Sequence, residues 1–192
     1  MIKISDEIKA LIFDCDGTLV DSMPLHFKAW QETFEALERD YPHEFVDERK
    51  GMPIHEVVKQ YNTVYNDNIN IQEFVVDRER RVKVRLSNVT AIAPVMDVVN
   101  KYKGILPLAV CSGSMRESVD ISIQAIGLRG TFKVILTSDD QLKPKPAPDM
   151  FLEASKRLNI HTRYCQVFED SDLGIQAAEN AGMVATDIRK YI

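Results

Sequence analysis

The sequence predicts an α/β fold: a doubly wound parallel sheet with an all-helical cap domain inserted after its first strand. Three observations carry the prediction. Short apolar runs rich in β-branched residues recur along the chain, with the length and composition of strands buried on both faces. Helix-period segments separate the later runs, which is the alternation of a parallel sheet. The stretch from about residue 22 to 88 breaks that rhythm, with charged amphipathic helix patterns and no strand.

The elements follow in order. "ALIF" (10–13) is the first strand and ends abruptly in "DCDGT" (14–18). "PLHFKAWQETFEAL" (24–37) and "IQEFVVDRERRVKVRL" (71–86) carry apolar residues at helical spacing and belong to the insertion. Beyond it come a helix in "PVMDVVNKY" (94–102), a strand in "LPLAVC" (106–111) and a helix in "SMRESVDISIQAIGL" (114–128). Strands "FKVIL" (132–136), "CQVF" (165–168) and "MVATDI" (183–188) then alternate with helices "DMFLEASKRLN" (149–159) and "DLGIQAAENAG" (172–182). Gly127 and Gly182 stand where helices should stop, and Ser114 and Asp172 where N-caps should be. The core is expected over 1–20 and 89–192 and the cap over 21–88, with borders near Val20–Met23 and Ser87–Ala93.

Composition narrows the function. A net charge of −5, with acids and bases interspersed, argues against a nucleic-acid footprint. No apolar stretch is long enough to span a membrane, and "MIKISDEIKA" lacks the apolar segment of a signal peptide. Cys15, Cys111 and Cys165 are odd in number, far apart and without a CxxC pair, which suits a reducing cytoplasm. A cytoplasmic monomer acting on a small molecule is expected.

In open α/β sheets ligands sit outside the carboxyl ends of the strands, so the residues that follow each strand matter most. These are Asp14, Asp16, Gly17 and Thr18 after the first, Ser112-Gly113-Ser114 after the second, "LKPKPAPD" (142–149) after the third and Glu169-Asp170-Ser171 after the fourth. Four carboxylates, a lysine and a serine at one edge fit a phosphate monoester with a divalent metal. Magnesium takes hard oxygen ligands and keeps several waters, so Asp14 and Asp170, with Glu169, suffice. Ser112 and the amides of Gly113 and Ser114 suit phosphoryl oxygens at a helix start. Lys145, on a proline-stiffened loop, brings positive charge to phosphate and acids alike. Asp14, fixed on the strand end, is placed to attack phosphorus in line and form an aspartyl-phosphate. Asp16, in the turn, is placed as general acid and then general base.

These motifs, "DCDGTLVDS", Ser112, Lys145 in "KPAPD" and "EDSDLGIQAA", resemble those of the haloacid dehalogenase superfamily, in its helical-cap group. The chain also resembles the branch holding beta-phosphoglucomutase and small sugar-phosphate phosphatases such as those acting on fructose-1-phosphate. The resemblance implies a Rossmann-like core, Asp14 as nucleophile, Asp16 as acid/base, and Mg2+ on Asp14, the Asp16 carbonyl and Asp170 with Glu169 close by. It does not imply dehalogenation, because dehalogenating members generally lack the second acid of the first motif and the acidic pair.

In the cap, His26 and Trp30 match the branch's "H…AW" pattern. His26 reads equally as a substrate neighbour or as a packing residue, and Trp30 as cap core. Lys50, in "KGMP", reads as a substrate-loop lysine or an ordinary surface lysine; Ser114 and Arg116 are candidate contacts from the core side. The mutase places an arginine four residues beyond that lysine to hold a second phosphate, and Ile54 stands there instead. Losing a bidentate phosphate clamp favours hydrolysis over phosphoryl relocation. Two alternatives stay open: a phosphosugar mutase, and a non-enzymatic phospho-acceptor module built from similar acids, hydroxyl and lysine.

Overall fold

In the computed structural model, which describes residues 2–49 and 52–192, five parallel strands form one sheet in the order β3-β2-β1-β4-β5. They are β1 (Ala10–Phe13), β2 (Leu108–Cys111), β3 (Val134–Leu136), β4 (Cys165–Glu169) and β5 (Val184–Asp187). The chain winds outward from β1 through β2 to β3, then returns across the sheet to β4 and β5. The switch between the two directions therefore falls between β1 and β4. β2 starts two residues later than its apolar run, because Pro107 has no N–H to give a ladder.

Alternation along the strands fills two layers. Leu11, Phe13, Leu108, Val110 and Phe168 face one side, where the helices α5 (Ala93–Tyr102) and α6 (Arg116–Ala125) supply Val95, Val98, Val99, Val119 and Ile123. Ala10, Ile12, Ala109, Cys111 and Val167 face the other, against α7 (Asp149–Leu158) and α8 (Asp172–Asn180). Phe13 and Phe168 stack across neighbouring strands with ring centroids 4.7 Å apart. Both expected glycine stops hold, with Gly127 and Gly182 just past α6 and α8 at positive φ.

Both expected N-caps are off by one. The residue capping α6 is Met115, and Ser114 instead gives its hydroxyl to Asp16. The cap of α8 is Ser171, whose hydroxyl accepts from the Gly174 amide at 3.1 Å, so Asp172 falls inside the helix. In both cases a partner distant in sequence, or one residue's difference in backbone angle, decides between neighbouring capping residues.

Between β1 and α5 lie α1 (Met23–Ala36), α2 (His43–Asp47), α3 (Ile54–Tyr65) and α4 (Ile71–Leu86). They share an apolar cluster of their own, in which Trp30, Phe34, Phe45, Val58, Tyr61 and Phe74 are buried. The arms joining this insertion to the sheet lie side by side. Val20 forms an antiparallel bridge to Ala91, the Asp21 amide donates to the Thr90 carbonyl at 2.9 Å, and the Ile92 amide to Leu19 at 3.0 Å. Asn70 opens α4, with its side chain accepting from the Glu73 amide and donating to the Glu73 carboxylate. Replacing Asn70 with Ala is expected to cost about 1 kcal/mol in urea unfolding and to leave kcat unchanged. Among the described residues no helix is long and apolar enough to cross a membrane.

Candidate active site

The carboxyl ends of β1 and β4 meet at the switch point, and parallel register sets the residues beyond them level with one another. Phe13 pairs with Phe168 and with Val110, so Asp14, Glu169 and Cys111 come next on three adjacent strands. Lys145 reaches in from the loop after β3. Its ammonium donates to Asp14 Oδ1 at 2.7 Å, to the Cys111 carbonyl at 3.2 Å and to Glu169 Oε1, which uses all three of its donors.

The acids crowd one another. Side-chain oxygens of Asp14, Glu169 and Asp170 lie within 4.8 Å of one another. Burial pushes the Asp14 carboxyl well above its ordinary value, Glu169 and Asp170 add to the rise, and Lys145 opposes it. Asp170 is raised to about 6, by burial first and the Glu169 charge second, against the pull of Thr18 and Lys145. Burial alone would lower Lys145, but the carboxylates it faces hold it above the usual lysine range. Glu169 itself is 1% exposed, and its second oxygen accepts from the Ser171 hydroxyl at 3.0 Å and the Ser171 amide at 3.3 Å. The Thr18 hydroxyl donates to Asp170 Oδ1 at 3.1 Å.

Two residues along from Asp14, Asp16 sits in a tight loop in which the Gly17 amide donates to the Val20 carbonyl. Three donors surround its carboxylate: Ser22 at 2.7 Å and His26 Nε2 at 3.0 Å on one oxygen, Ser114 at 2.6 Å on the other. Burial would push this carboxyl up, but His26, Ser114 and Ser22 outweigh it and hold Asp16 far below the ordinary carboxylate range. Ser22 begins α1 without capping it, its hydroxyl being spent on Asp16.

Behind His26 stands a residue that no local motif singles out. Arg78, on α4, approaches His26 Nδ1 at 2.6 Å and donates to Glu79 Oε1 at 2.6 Å, and its guanidinium lies over the Trp30 ring. A guanidinium has no acceptor, so His26 Nδ1 accepts and the ring proton sits on Nε2, facing Asp16. An unbroken chain thus runs from the core acid Asp16 through His26 on α1 to Arg78 on α4. In sequence Arg78 is hidden in "DRERR", which reads as a solvated charged face. Arg78 is 5% exposed, a degree of burial that an arginine reaches only when paired.

Ser112 follows β2 and is 1% exposed. Its oxygen accepts from the Ser114 amide at 3.0 Å, which leaves its proton to donate elsewhere. Gly113 is exposed beside it. Arg116 pairs with Asp120 one turn along α6, and its amide donates to Asp139 at 3.2 Å. Trp30 packs with Phe34 and Phe74 in the insertion's core, as its sequence context suggests. Ile54 is half-buried against the same cluster. Lys50 lies outside the described residues.

Asp14, Asp16, Ser112, Ser114, Lys145, Glu169 and Asp170 thus meet at one rim, joined by His26 from the insertion. This is a donor set of hard oxygens beside a fixed ammonium, suited to a divalent cation and a phosphoryl group.

Residues 11–187 match the family described as haloacid dehalogenase-like hydrolase. The fructose-1-phosphate phosphatase YqaB of Escherichia coli K12 is 33% identical over 179 residues, covering 93% of this chain and 95% of the relative. The beta-phosphoglucomutase of Bacillus subtilis is 26% identical over 190 residues, covering 94% of this chain and 83% of the relative. Among solved structures, CbbY from Rhodobacter sphaeroides in complex with xylulose-(1,5)bisphosphate superposes with a TM-score of 0.81 at 23% identity, covering 93% of this chain and 84% of that one.

Proposed function

This chain belongs to the haloacid dehalogenase-like hydrolase family, and we propose that it is a magnesium-dependent phosphatase that hydrolyses a small sugar phosphate through an aspartyl-phosphate on Asp14. Membership in a family of hydrolases sets the phospho-acceptor alternative aside. The observation that carries the reading is the meeting of Asp14, Glu169 and Asp170 with the Lys145 ammonium between the first two. The substrate class rests on the relatives that act on phosphorylated sugars. Residues 1–20 and 89–192 serve as the catalytic core, and residues 21–88 as the cap that encloses the substrate.

The donor set fits Mg2+. Asp14, Asp170 and the main-chain carbonyl of Asp16 would hold it, with Glu169 alongside. Once bound it offsets negative charge on the acids and on the phosphoryl oxygens. The remaining work falls to the protein's own groups. A carboxylate oxygen of Asp14 attacks phosphorus as the bond to the sugar oxygen breaks. Asp16 protonates that leaving oxygen, then removes a proton from the water that attacks the phospho-aspartate and releases phosphate. Ser112 and the Gly113 amide hold phosphoryl oxygens, and Lys145 neutralises charge as it develops.

The hydrogen bonds around Asp16 favour its ionised form, which is the form needed for the second step. In the first step Asp16 must carry the proton that it gives to the leaving oxygen, and its oxygens keep lone pairs to accept from Ser22 and Ser114. Ile54, turned into the apolar cluster, supports hydrolysis over mutase chemistry, since it offers nothing to a second phosphate.

The test is a panel of phosphorylated metabolites with product analysis, run with Mg2+ and after EDTA treatment. Phosphate release from hexose or pentose phosphates is expected with Mg2+ and is lost with EDTA. An isomerised sugar phosphate without released phosphate would establish the mutase instead.

A further inference from the structure

Gly174 is buried in the first turn of α8, three residues after the Ser171 cap. No positive φ requires glycine there. A helix position of this kind favours alanine, since glycine loses more backbone entropy on folding. The reason for glycine is instead what lies against it. A Cβ built on Gly174 would overlap the Glu169 carboxylate, meeting its Cδ and both of its oxygens. That carboxylate has no slack, being held by the Lys145 ammonium on one oxygen and by the Ser171 hydroxyl and amide on the other. Gly17 stands in the same relation to Asp170, where a Cβ would overlap the carboxylate and crowd Met23 at 3.1 Å. There, however, a φ of +80° already calls for glycine, so only Gly174 isolates the steric effect.

We infer that Gly174 is a positioning residue for the acid cluster: its missing side chain is the space that lets Glu169 lie across the start of α8 and join Asp14 and Asp170 around one cation. The inference rests on the metal reading above. With a methyl group at 174, Glu169 must swing away, and the three-acid arrangement loses a member without any ligand being mutated.

A two-by-two set of variants tests this: wild type, Gly174→Ala, Glu169→Asp and the double variant. Mg2+ binding is read by calorimetry and by the metal-induced shift in thermal midpoint, neither of which needs turnover. Gly174→Ala is expected to weaken Mg2+ by about 10–100-fold, the usual effect of disturbing a group that orients a metal site. Its metal-free midpoint should fall, because the displaced carboxylate loses its bonds to Lys145 and Ser171 inside the core, which outweighs the better helix propensity of alanine. Glu169→Asp draws the carboxylate back by one methylene and makes room for the new methyl group. In that background Gly174→Ala should change affinity by no more than about twofold.

Equal losses in both backgrounds, or wild-type affinity in Gly174→Ala, overturn the positioning role while leaving the metal reading intact. A wild-type protein that binds no Mg2+ overturns the metal reading and this inference with it. Should Gly174→Ala alone not fold, the double variant decides: folding comparable to Glu169→Asp supports the steric account, and failure to fold overturns it.

Discussion

Asp14→Asn is expected to lower kcat by about 10⁴-fold or more with any phosphomonoester, as removal of a nucleophile commonly does. The fold should be untouched or slightly firmer before metal is added. Asp14 is a buried carboxylate facing two others, and the amide removes one of three crowded negative charges while keeping the shape. Lys145 retains Glu169 and the Cys111 carbonyl as partners, so no charge is stranded. Two measurements check this: phosphate release under saturating substrate, and a thermal melt without metal. Substantial turnover in the amide variant would remove Asp14 from its role, whatever the melt showed.

Asp16→Asn should lower kcat by about 10²–10⁴-fold on a sugar phosphate, the usual range for a lost general acid–base group. The substrate chosen matters. A sugar alkoxide leaves poorly without a proton, whereas p-nitrophenolate leaves without help. With p-nitrophenyl phosphate the variant should release a rapid burst of about one nitrophenolate per enzyme and then turn over slowly. The first half-reaction no longer needs the acid, while hydrolysis of the phospho-aspartate still needs the base. Phosphate trapped on the protein should be recovered after acid quench. A slow steady state with no burst would mean that Asp16 acts only before the phosphoenzyme forms.

The sheet was legible in the sequence because its three central strands, β1, β2 and β4, are buried at every residue and read as apolar runs whose ends carry the chemistry. "DCDGT", "SGS" and "KPKPAP" follow strands and "EDS" begins on the last residue of β4, and parallel pairing brings all four to one rim. What is not legible there depends on contacts between residues far apart in sequence. Arg78 and His26 are 52 positions apart, so neither the charged run around Arg78 nor the lone His26 revealed the other. Ser114 looked like a helix cap because capping is a local rule, but its hydroxyl is taken by Asp16, 98 positions away. Arg116, a candidate contact, pairs with Asp120 one turn along its own helix, and its sequence context does not show that partner. The glycine in "EDSDLG" carries no local signal, since only three-dimensional proximity to Glu169 gives its missing side chain a meaning.

The paired arms at Val20 and Ala91 bear on ancestry. A segment that departs and returns through adjoining backbone positions asks the remaining polypeptide only to close one loop, and that entropic demand grows merely with the logarithm of its length. Whole modules of different size can therefore be exchanged at this doorway during evolution, or by a protein engineer, while the sheet beneath keeps its register.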